Sequence, residues 1–156
     1  MARAFTCQTR DTDTMSLKAT LVALLVAVLP CIGLAADQPK ECTKADAAAA
    51  ETQAPAATWG GLYRSYRRYG QCDDGSVAEV FSNAVASLLS GHWDTVNELT
   101  RLAKAHSSFG VFVLHHTDVT MRLNQAELIK GNARDKCPTD SKQLCQRILH
   151  RMSEFK

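Results

Sequence analysis

Phe109-Gly-Val-Phe-Val-Leu-His-His116 is the stretch on which the fold class turns. Its apolar run suits a buried strand as well as a helix, because so short a block carries no decisive period. A strand needs a partner, and a lone one is not stable. No second strand-like run stands elsewhere in the chain, so the block reads as a helix, with Ser107 or Ser108 as its cap.

Outward from it, the apolar period is helical on both sides. Trp59, Leu62, Tyr63, Tyr66 and Tyr69 recur at steps of three and four, a helix stopped by Gly70. Asp73, Asp74 and Ser76 offer caps for a second helix, whose stripe is Val77, Phe81, Val85 (or Ala84) and Leu88 up to Gly91. A third runs from about Trp93 to Ala105 with Val96, Leu99 and Ala103 inward, and Thr95 with Glu98 has capping-box spacing. After the central block, Asn124 caps a helix from Gln125 to Asp135 that buries Leu128, Ile129 and Ala133. Pro138 breaks the chain, and Leu144, Ile148 and Met152 mark a last helix from about Ser141 to Met152. The expected fold is all-α: a single small domain of five to six short helices, spanning residues 58–156.

Ahead of that domain, residues 15–35 read as a signal peptide: Lys18, an apolar run from Ala19 to Leu29, and the small-x-small site Gly33-Leu34-Ala35. The run is too short to cross a membrane, and no later segment approaches the length required, so the mature chain is expected to lack a transmembrane segment. Residues 1–14 carry two aspartates where a leader carries positive charge, and read as an over-long start before Met15. Cys31 follows Pro30 where a lipid-accepting cysteine follows small residues, so soluble export to the periplasm or outside is favoured over lipidation. Residues 36–57, Ala- and Pro-rich and lacking large apolar groups, read as a flexible segment.

Export gives the cysteines their meaning. Cys42, Cys72, Cys137 and Cys145 remain after cleavage, an even set that reads as two disulfides in an oxidising compartment. Zinc is the weaker reading, since no CxxC pair is present. Three pairings are possible. A mobile Cys42 favours joining Cys72 to Cys137 or Cys145; a Cys72–Cys137 bridge would close a long loop worth about 4 kcal/mol in chain entropy.

Acids and bases beyond Ala36 nearly balance, which gives no general case for nucleic acid or an anionic membrane as partner. No GxSxG elbow or patterned Cys–His pair points to a hydrolase, so neither catalysis nor a cofactor is expected. Tyr63, Arg64, Tyr66, Arg67 and Arg68 combine the residue types that dominate binding hot spots, and Asp73 and Asp74 add carboxylates a basic partner could read. These seven are the candidate partner-binding residues. The alternatives are a metal site on His115, His116 and Asp118, which would need a further ligand such as His92, His106 or Glu127, or an envelope structural component with no ligand.

From Trp59 to Lys156 the plan of a signal-bearing, helical, disulfide-stapled chain resembles the small exported immunity proteins that protect bacteria against periplasm-directed toxins, such as the Tai-type immunity proteins of amidase effectors. The likeness is one of architecture and carries no contact residues. It implies an exported protein that engages another protein.

Overall fold

A computed structural model of the protein describes residues 40–54, 56–117 and 121–153. Residues 1–14 and 15–35, the latter expected to be a signal peptide, lie outside them. Seven α-helices occupy the described chain: α1 (Lys44–Gln53), α2 (Trp59–Tyr69), α3 (Gly75–Gly91), α4 (Val96–Ala105), α5 (Ser107–His115), α6 (Leu123–Asp135) and α7 (Lys142–Ser153). Short 3₁₀ turns at Gly70–Cys72, Trp93–Thr95 and Thr139–Ser141 join three of the neighbouring pairs, α2–α3, α3–α4 and α6–α7, into compact corners. The decisive block is helical from Phe109 to His115, with His116 as the C-cap and Phe109, Phe112 and Val113 buried.

Helix α3 is the centre. Val77, Phe81, Ala84, Val85, Ala86, Leu88 and Leu89 are all buried, so it is apolar around most of its circumference, as a helix enclosed by neighbours must be. It packs against α1, α2 and α6, while α4 lies on α5 and α6 on α7. Asp74 caps α3 through Oδ1, which accepts from Gly75 N at 2.8 Å. Gly75 has φ +52°, a left-handed conformation that an L side chain adopts only at a cost, so this entry requires glycine. At the α4–α5 crossing a Cβ on Gly110 would stand 3.0 Å from the Ala103 Cβ, and glycine lets the two backbones approach.

Several local details differ from the sequence expectations. Leu128 is 54 % exposed, because its neighbour Ile129 takes the inward position on α6. Thr95 and Glu98 form no capping box: Glu98 Oε1 instead accepts from Gly60 N at 3.0 Å and so caps the start of α2 from another helix. Neither Ser107 nor Ser108 caps α5, whose N-cap is His106 without a side-chain bond.

The largest difference is in the Ala-rich segment. It forms α1, started by Thr43 Oγ1, which accepts from Asp46 N at 3.0 Å. Ala50 and Ala54 are fully buried, and methyl-sized side chains let the helix sit close to α2 and α3. All four cysteines are bridged, but as Cys42–Cys72 and Cys137–Cys145, not through the long Cys72 loop. Cys42 is anchored for the same reason that α1 is ordered: the bridge ties the helix start to the 3₁₀ turn behind α2.

Candidate functional site

The seven residues singled out as a possible partner surface separate into two groups. Trp59 and Leu62 turn α2 inward, and Thr58 Oγ1 fixes its start by accepting from Gly61 N at 3.1 Å. Tyr63 and Tyr66 are half-buried on the flank. Tyr63 stacks on His106 with ring centroids 4.5 Å apart and meets Phe109 edge-on at 5.2 Å. Tyr66 lies 4.6 Å from Phe112. Arg64, Arg67 and Arg68 point away from this cluster into solvent. Arg68 also sits 5.3 Å from the Tyr69 ring centroid, within cation–π range. A cavity of about 390 Å³ opens beside Tyr66 and Arg67, with Gly70, Gln71 and Ser108 completing its wall. The rings are therefore positioned by packing, and the guanidinium groups form the exposed row above them.

The two aspartates are structural. Asp74 is the α3 cap. Asp73 Oδ2 lies 3.0 Å from His116 Nε2, and His116 Nδ1 lies 2.9 Å from Ser82 Oγ. His116 is 1 % exposed and Ser82 7 %. With Asp73 ionised, Nε2 carries a proton and donates to the carboxylate; in the neutral ring Nδ1 then accepts from the Ser82 hydroxyl. A Ser–His–Asp chain of this kind invites comparison with a hydrolase. The chemistry goes the other way: Ser82 is in the middle of α3, where the backbone amides are committed to helix bonds and cannot serve as oxyanion donors. The chain holds the 3₁₀ turn at Gly70–Cys72, α3 and the end of α5 together.

This arrangement bears on the two histidines of the metal alternative. His115 is exposed and His116 is buried, so the two do not share an approach. Both His116 ring nitrogens are already engaged, which leaves no lone pair free for a metal while the bonds persist. Asp118 lies outside the described residues. Among the described residues no group of three His, Cys, Asp or Glu side chains could hold a metal ion.

No protein-family model matches the chain, and no curated protein or solved structure is significantly similar to it.

Function must therefore be argued from the geometry. The hydrogen-bonded chain was hidden in the sequence because its partners are 43 and 34 positions apart. The only signal was a histidine in an apolar helix, which in a core needs a partner. Replacing His116 with leucine should cost about 2–3 kcal/mol in urea unfolding, since Asp73 and Ser82 both lose their partner. An effect below about 0.5 kcal/mol, the range of ordinary surface changes, would contradict the structural role.

Proposed function

We propose that this is an exported, periplasmic or secreted binding protein that engages another protein through the outer face of α2, in the manner of an immunity or inhibitor protein. The observation that carries the reading is the row Arg64, Arg67 and Arg68, exposed above tyrosines already immobilised by Phe109, Phe112 and His106. Arginine and tyrosine combine large contact area with hydrogen-bonding ends. Rings fixed before binding lose little further freedom on binding, which favours affinity. Two intrachain disulfides fit an oxidising compartment, and no helix among the described residues is long and apolar enough to cross a membrane. We read the role as binding rather than catalysis because the Ser82–His116–Asp73 chain is occupied in holding the fold.

Pull-down from native envelope extract tests the proposal. Wild-type mature chain should retain a specific protein, and Arg67→Glu/Arg68→Glu should weaken that capture tenfold or more, with an unchanged circular dichroism spectrum. Equal capture by both chains, or none by either, refutes an α2 interface. Intact mass of the native product should correspond to residues 36–156 with two disulfides; a mass that retains the leader refutes export.

A further inference from the structure

The other cationic surface belongs to α7. Two cavities of about 450 and 520 Å³ are both lined by Gln143 and Arg147, so they adjoin as a two-part groove along the exposed side of that helix. Lys104 from α4 and Lys142 line the first; His150 and Arg151 line the second. Asp140 is the one acid among the lining residues, and its backbone carbonyl accepts from Lys104 Nζ at 3.4 Å. Helix α7 itself carries no carboxylate.

Helix stability explains part of this pattern but not all of it. His150 and Arg151 are in the last turn, where a cation is favoured by the helix dipole. Lys142 is the first residue of α7, where the same dipole disfavours positive charge. Among the described residues neither Lys142 nor Arg147 has a carboxylate within ion-pair distance. Both charges are therefore without an ionic partner among the described residues.

We propose that this groove binds an acidic segment of another polypeptide, at a site separate from the α2 face. Lys142 to Arg151 span nine helical steps, about 14 Å at 1.5 Å each. An extended chain covers that length in about four residues at about 3.3 Å per residue. Gln143 and Gln146 alternate with the cations and can bond to a peptide backbone, while carboxylates meet Lys104, Lys142 and Arg147. Leu114 gives the floor an apolar step, and Val111, 59 % exposed, stands one turn before it on α5. A recessed floor suits an inserted segment better than a flat anionic membrane, which is bound by apolar groups that protrude.

The test uses fluorescence anisotropy of a fluorescein-labelled hexaglutamate peptide with the full mature chain at low salt. Binding should be saturable, weaken as salt rises, and fall at least tenfold in Lys142→Glu/Arg147→Glu. It should persist in Arg67→Glu/Arg68→Glu, which alters only the α2 face. No binding by wild type, or equal binding by the Lys142→Glu/Arg147→Glu chain, overturns the proposal. So does preferential binding to phosphatidylglycerol vesicles with no peptide binding, which would make the groove a lipid-headgroup site.

Discussion

Phe81→Ala should destabilise the protein by about 3–5 kcal/mol, the usual cost of truncating a fully buried aromatic side chain. Phe81 has no exposed surface and meets Phe112 edge-on at 5.0 Å, with the His116 ring 5.8 Å away. Two costs combine at this position. The apolar area is lost, and the void left behind borders both the α5 aromatic row and the Ser82–His116–Asp73 chain, so neither can collapse into it freely. A domain of this size has about 5–15 kcal/mol in total, so the variant loses a large share of its stability and its melting temperature should fall by about 10–20 °C. Phe81→Leu keeps most of the volume and should cost less than half as much. Val111→Ala, at an exposed position, should stay within about 0.5 kcal/mol. Urea unfolding of the three variants checks the order. Equal midpoints for Phe81→Ala and Val111→Ala would place Phe81 outside the core.

The stripes that were legible in the sequence are those with a strong period and large side chains. Val77, Phe81, Val85 and Leu88 on α3, and Leu144, Ile148 and Met152 on α7, are all buried as their spacing implies. Helix α5 was legible by elimination, since a strand there would have had nothing to pair with. Helix α1 was not, and the reason is physical. Alanine has too little apolar surface to mark a face, and ten residues of such a helix are marginal alone. Its order depends on contacts supplied from outside: the Cys42–Cys72 bridge, the Tyr69 hydroxyl donating to Gln53 Oε1 at 2.8 Å, and the Ser76 hydroxyl donating to Glu51 Oε1 at 2.6 Å. The candidate partner residues divide on the same principle. The tyrosines and arginines of α2 are local, and helical spacing alone separates them into flank and outer row. Asp73 was read with its neighbour Asp74 because nothing nearby reveals a histidine 43 positions away. Chain entropy likewise states how much a given bridge contributes, not which cysteines the fold brings within reach.

That distinction can be measured at the two bridges. Cys42–Cys72 closes a loop of 30 positions and Cys137–Cys145 one of 8. In the chain-entropy account these correspond to about 3.7 and about 2.6 kcal/mol. Cys42→Ser/Cys72→Ser should therefore be the more destabilising pair of replacements in denaturant unfolding. Its effect should also be uneven across the molecule. Ala50 and Ala54 are the fully buried apolar residues of α1 and its cap, and the polar bonds to Gln53 and Glu51 are on or near the surface. Once the covalent tie is gone, docking must compete with the entropy of ordering ten residues, and local opening becomes the cheapest fluctuation. Amide exchange at residues 47–53 should accelerate at least a hundredfold, while Phe81, Val85 and Leu88 on α3, which remain enclosed, should accelerate only in proportion to the global loss of stability. Cys137→Ser/Cys145→Ser should leave α1 exchange close to wild type, because that bridge closes the corner between α6 and α7. If α1 amides in Cys42→Ser/Cys72→Ser stay as protected as those of α3, then packing rather than the bridge orders this helix, and the account of why alanines suffice there is wrong.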